Sequence, residues 1–199
     1  MPNQIEVLIE KIRELEAELE IALANRAEEL RLRILDGKIE YTNDILAAHR
    51  ALKKGLLKYV LDSSPLKIIT LPFIYGIAPP LVLLDASVSL YQFVCFPVYG
   101  IPKVNRKDYL VFDHANLAYL NLIEKVHCAY CSYGNGILAY AREIAARTEQ
   151  YWCPIKHAKR IKAAHSRYNR FVDYGDAEAY HKKLGELRKD FENESKPIL

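Results

Sequence analysis

Four side chains with soft-metal chemistry stand close together in the chain: Cys128, Cys131, Cys153 and His157, spaced C-x2-C, then 21 residues, then C-x3-H. Three of the 4 cysteines of the protein fall in this stretch. Two thiolates one helical turn apart can grip one ion from one side, and a second pair returned by a hairpin can complete a tetrahedron. The expectation is a Cys3His site for one Zn2+ or one Fe ion per chain, structural if closed and open to catalysis or transfer if not. A Cys128/Cys131 dithiol, or a redox iron that carries electrons, is the alternative chemistry.

Elements must position those ligands. Glu124, His127, Cys128 and Cys131 lie at i, i+3, i+4 and i+7, one stripe of a helix, so Glu124 and His127 could support the thiolates. Gly134-Asn135-Gly136 reads as a turn, followed by a helix from about Ile137 to Tyr151. Cys153 then reads as the cap of a further helix with Pro154 at its first position, where the positive end of the helix favours thiolate. That helix is expected through Ile161, His165 and Tyr168, and another from about Asp176 to Phe191. Ahead of the cysteines, Asp113 is a plausible cap for a helix through Leu117, Leu120 and Ile123.

Two Glu-x-x-His pairs, Glu124/His127 and Glu178/His181, have the spacing of carboxylate-bridged di-iron ligands. Such a centre needs further glutamates. The nearest are Glu143 and Glu149, and Glu143 stands four residues before Arg147, where an ion pair competes. The stretch from Lys156 to Arg170 carries six cations and no acid, which suits an anionic membrane surface, with RNA stacked on Tyr168 and Phe171 or a solvated face as the competing readings.

The middle of the chain is apolar. Between residues 66 and 102 the charged residues are Lys67 and Asp85, and Leu81–Ile101 as a helix would reach about 31 Å, the thickness of a bilayer's hydrocarbon. Pro79-Pro80 divides this run from a shorter apolar arm, Ile68 to Ala78. Lys53, Lys54, Lys58 and Lys67 flank it on one side and Lys103, Arg106 and Lys107 on the other. Positive charge marks the cytoplasmic side, so the pattern predicts a membrane hairpin or re-entrant segment with both ends cytoplasmic. Asp85 would then be an acid within the membrane, costly unless paired, protonated or wet.

The first part is polar and periodic. Ile5, Leu8, Ile12, Leu15 and Leu19 alternate by three and four, and after a stutter the seam resumes at Leu23, Ala27, Leu30 and Ile34. Asp36-Gly37 reads as the stop of that helix. A second helix is expected from about Asn43 to Leu61, burying Ile45, His49, Leu52 and Leu56. The fold class is therefore all-α in three parts. Residues 1–62 form a helical hairpin that meets an oligomer or protein partner, 63–108 the membrane segment, and 109–199 the Cys/His module.

Composition bounds the function. The net charge of +3 in 199 residues gives no reason to expect a nucleic-acid partner. No cleavable signal peptide is visible, so the cysteines are expected in a reducing cytoplasm, as ligands or redox thiols. Of 14 tyrosines many lie beyond Tyr109, and tyrosine suits half-wet surfaces. Gly-rich phosphate loops, the G-x-S-x-G elbow and H-E-x-x-H do not occur.

The run Cys128-Ala-Tyr-Cys131-Ser-Tyr-Gly-Asn-Gly136, with Arg142-Glu-Ile-Ala-Ala-Arg-Thr-Glu-Gln-Tyr-Trp-Cys-Pro-Ile-Lys-His157, resembles a family of uncharacterised bacterial proteins. The resemblance covers about residues 110–180 and brings no catalytic role with it. It implies a shared cysteine module and, with the apolar segment, a place at the cytoplasmic face of a bacterial inner membrane.

Overall fold

The computed structural model describes residues 4–29, 33–35, 38–40, 43–159, 161–162 and 164–191. The described residues form a mostly helical protein in two compact units. Among the described residues, one unit comprises those up to Tyr59 with Asp113–Lys125, and the other Val60–Phe112 with residues 126–191.

In the first unit, α1 runs Gln4–Glu29. It is followed by a short antiparallel pair, β1 (Arg33–Leu35) and β2 (Lys38–Glu40), in which Ile34 faces Ile39. The long helix expected through Ile34 thus ends earlier. Asp36-Gly37 lies outside the described residues, as does Leu30, but two residues separate the strands. Asp-Gly flanked by apolar residues is a strong short hairpin signal, and it outweighs the helical periodicity here.

The second expected helix is also divided, into α2 (Asn43–Ala51) and α3 (Leu56–Leu61). Two adjacent lysines and Gly55 interrupt it, and Leu52 and Leu56 are exposed rather than buried. His49 packs edge-on against Tyr119 at 5.2 Å. Asp113 opens only a short 3-10 turn, Asp113–Asn116. The next long helix is capped by Asn121 instead, whose Oδ1 accepts from Glu124 N (3.0 Å) while Glu124 Oε2 accepts from Asn121 N (2.8 Å). This reciprocal pair satisfies two amide donors at the helix start.

In the second unit, α4 (Pro65–Tyr75) and α5 (Ala78–Tyr99) follow one another almost without interruption. Gly76 and Ile77 keep right-handed helical backbone angles, and Gly76 N bonds Pro72 O at 2.8 Å. The expected reversal at Pro79-Pro80 is not made: the two prolines sit in the first turn of α5, where a missing N–H costs least. Pro65–Tyr99 is 35 residues long and apolar enough to cross a membrane. α5 ends at Gly100, whose φ of 68° is the left-handed cap that glycine takes most readily.

α6 spans Leu122–Trp152, 31 residues, and runs parallel to α5 in this unit. Tyr133 meets Asp85, Tyr140 meets Ser89 and Gln92, Thr148 meets Tyr91, and Tyr151 stacks near Tyr99. The chain between them crosses back over α6 at Gly136. A Cβ there would stand 2.5 Å from the Tyr109 carbonyl oxygen. Phe96, Ile101, Val104, Leu110, Ile137, Tyr140 and Ile144 form the core. After α6 the chain is extended, with Ile155 bridged to Val172. A 3-10 turn, Ser166–Arg170, and α7 (Ala177–Leu187) close the unit, and Asp176 caps α7 through Ala179 N at 2.9 Å.

Candidate functional site

The uninterrupted α6 decides where the cysteines lie. Gly134-Asn135-Gly136 forms no turn; its residues are helical, and Asn135 Nδ2 donates to Cys131 O one turn back at 3.0 Å. Cys128 and Cys153 are therefore separated by about 37 Å along the helix, at about 1.5 Å per residue. Cys131 is exposed, and the Cys153 amide still bonds Glu149 O at 2.8 Å, so Cys153 follows the carboxyl end of α6 and not the positive start of another helix.

His157 stands beyond it in extended chain, stacked at 6.2 Å on Tyr168, whose hydroxyl accepts from the His157 amide. The fold brings neither pair to the other. Among the described residues no three His, Cys, Asp or Glu side chains gather where a metal could be held. Glycine punctuates turns and also permits close backbone approach, and Gly136 does the second.

Glu143 and Glu149, the acids nominated on α6 beside Glu124, have partners. Glu143 Oε1 accepts from Arg147 Nε at 2.9 Å and from Arg167 Nη2 at 2.8 Å, with both guanidinium groups nearly fully buried. Burial pushes the Arg167 guanidinium down from its ordinary value, and Glu143 works against that. Arg167 also donates to Gln150 Oε1 at 2.9 Å, while Gln150 Nε2 donates to the carbonyls of Leu187 and Asp190. Glu149 bonds His165 Nε2 at 2.9 Å. The basic stretch from Lys156 to Arg170 is thus no solvated helix: Arg167 is a core residue, and Lys156 pairs with Asp173 at 2.8 Å. Arg160 lies outside the described residues.

What the sequence did not reveal is the polarity of α5. Its inward residues include Asp85, Ser89, Tyr91, Gln92 and Tyr99, and these make the contacts with α6 and with residues 102–106. Its outward residues are Val82, Leu83, Ala86, Ser87, Leu90, Phe93, Val94, Pro97 and Val98, all exposed. α4 exposes Leu66, Ile68, Ile69, Phe73 and Ile74. A helix at a water surface places its polar side outward; this one is reversed. The signal was present in the spacing, since 85, 89 and 92 repeat on one helical face, but polarity alone does not say which face is covered.

Asp85, Ser89, Tyr91 and Gln92 each have hydrogen-bond partners. Asp85 receives two bonds from Arg106, Nε at 3.1 Å and Nη2 at 2.6 Å, and one from the Tyr133 hydroxyl at 3.0 Å. Side-chain exposure is 14% for Asp85 and 46% for Arg106, so the carboxylate is sheltered and the cation reaches outward. Gln92 holds Val104 at both ends, accepting from its amide at 2.9 Å and donating to its carbonyl at 3.3 Å, and it also donates to the Tyr140 hydroxyl. Arg147 Nη1 donates to Pro102 O at 2.7 Å. Residues 102–106 are consequently clamped from α5 and from α6.

Comparison with protein-family models finds no matching family, and comparisons with curated proteins and with solved structures find no match.

Proposed function

We propose that this protein is a membrane-anchored structural component of an assembly. In this reading α4 and the outward face of α5 lie among lipid tails, at the cytoplasmic face of a membrane. The exposed seam of α1 meets a helix of a partner or of a second copy. The observation that carries the membrane reading is the inverted polarity of α5. Hydrogen-bonded polar side chains turned to protein and apolar ones turned outward are the arrangement lipid favours.

Removing the six large outward side chains of α5 from water contributes on the order of 5–10 kcal/mol. Basic residues on both flanks of the segment support a cytoplasmic position for each. Zinc or iron held by one chain is not part of this reading, because α6 carries the two halves of the expected ligand set to opposite ends.

The test uses spin labels in vesicles, one each at Leu83, Leu90 and Val94 in a background with the four cysteines replaced by serine. Labels in lipid collide with oxygen more than with a water-soluble nickel complex, whereas a label at Arg142 on α6 shows the reverse. Free access of the nickel complex to the α5 labels would overturn the proposal. A doubly labelled Cys131/Cys153 protein is expected to read about 33 Å, from 22 residues at about 1.5 Å each. A separation below about 10 Å would restore the closed metal site, whose ligands bond within about 2.3 Å of one ion.

A further inference from the structure

We infer that the segment Pro102–Asp108 is a preorganised ledge for the phosphate groups of acidic phospholipids, set at the edge of the outward face of α5. The inference rests on the membrane reading above and adds the lipid class and the depth of the helix. Its first support is position. Lys103 Nζ lies 4.6 Å over the ring of Phe93, and Phe93, 67% exposed, belongs to the outward apolar face. An ammonium held above a lipid-facing ring keeps its charge only where water or a headgroup reaches it. Phe93, near the carboxyl end of α5, therefore marks the boundary between tails and headgroups. That depth agrees with basic flanks on both ends of the apolar segment.

The second support is rigidity. A flexible cation loses side-chain and loop freedom when it binds, and a fixed backbone lowers that cost. Here Arg147 holds the Pro102 carbonyl, Gln92 holds both ends of the Val104 peptide, and Ile101, Val104 and Leu110 are buried beneath. Asn105 caps the following turn, accepting from Lys107 N at 3.3 Å and donating to Asp108 at 2.7 Å. Lys103, Arg106 and Lys107 are thus presented from a clamped backbone, all exposed. The acids nearby are Asp108, engaged by Asn105, and Asp85, engaged by Arg106, Tyr133 and Ser89. The ledge is cationic on balance, and the apolar face beside it fits the tails of the same lipid.

The experiment reads lipid composition beside Phe93 directly. The full chain carrying Phe93→Trp and Trp152→Phe has its single tryptophan on the outward face, and it is reconstituted in vesicles of phosphatidylcholine and phosphatidylglycerol. One or the other lipid is brominated, at equal mole fraction. Stronger quenching by brominated phosphatidylglycerol is expected, corresponding to a local enrichment of about fivefold per cation engaged. The excess should disappear in Lys103→Gln/Lys107→Gln, while quenching by brominated phosphatidylcholine persists. Equal quenching by the two lipids, or an excess that survives the double substitution, would overturn this inference and leave the membrane reading standing. No quenching by either lipid would remove both.

Discussion

α1 and α5 both expose large apolar side chains, and they do it differently. α1 exposes Leu8, Ile12, Leu15 and Leu19 at alternating spacings of four and three, with Glu10, Lys11, Glu14, Glu16 and Glu18 exposed around them. α5 exposes an entire face on which no charged residue occurs, and turns its one acid inward to Arg106. A narrow seam between charges matches another helix, whose own flanking charges can meet them. A broad face without charge matches a medium that solvates no charge at all. The width of the apolar surface, rather than its presence, separates a helical partner from lipid.

Exchanging charges between the two surfaces gives the largest effect. Leu90→Lys with Val94→Lys places two cations on the α5 face and removes two large apolar side chains from it, about 1.5–3 kcal/mol each, and vesicle flotation should then leave the protein unbound. The matching α1 variant, Ile12→Lys with Leu15→Lys, should abolish self-association or partner capture in sedimentation and leave flotation unchanged. Loss of flotation in the α1 variant would collapse the distinction between the two helices.

A smaller effect tests what holds the inward side of α5 in place. Gly136→Ala drives a Cβ into the Tyr109 carbonyl and should destabilise by about 2 kcal/mol. Gly134→Ala meets only Leu81 Cδ1 at 3.4 Å and should raise stability by up to about 1 kcal/mol, since alanine favours helix. If Gly134→Ala instead lowers the melting temperature, the glycines make a turn and α6 is not continuous.

The smallest effect isolates one bond of the α5–α6 seam. Tyr91→Phe removes the 3.1 Å hydrogen bond to Thr148 Oγ1, costing about 1 kcal/mol and lowering Tm by about 2–4 °C. An unchanged Tm would show that this polar contact is not part of what positions α5.

Much was legible in the residues alone. Apolar periodicity located α1, composition located the apolar segment, and spacing paired Glu143 with Arg147. A helix beginning near Asp176 was expected, and α7 begins at Ala177 but ends at Leu187, short of Phe191. The β1–β2 pair was equally legible through Asp-Gly, but three-four periodicity masked it. Whether Cys128, Cys131, Cys153 and His157 meet was not recoverable from spacing, because C-x2-C and C-x3-H describe one ligand set only if the chain between them turns. Local sequence cannot tell a glycine that bends the chain from one that admits a neighbouring carbonyl.

The sequence by itself determined that this protein is helical, that its middle is apolar, and that its first helix carries a heptad seam. These follow from propensity and period, which act over a few residues. Tertiary structure alone decided that Cys128 and Cys153 stand far apart, that Arg167 is a buried partner of Glu143, and that the polar side of α5 faces inward. Each of those depends on contacts between segments distant in sequence: Tyr109 over Gly136, Arg106 on Asp85 and Gln92 on Val104. A helix apolar on most of its circumference offers no local reason to bury one face over another, so the choice falls to the hydrogen bonds its few polar residues can complete.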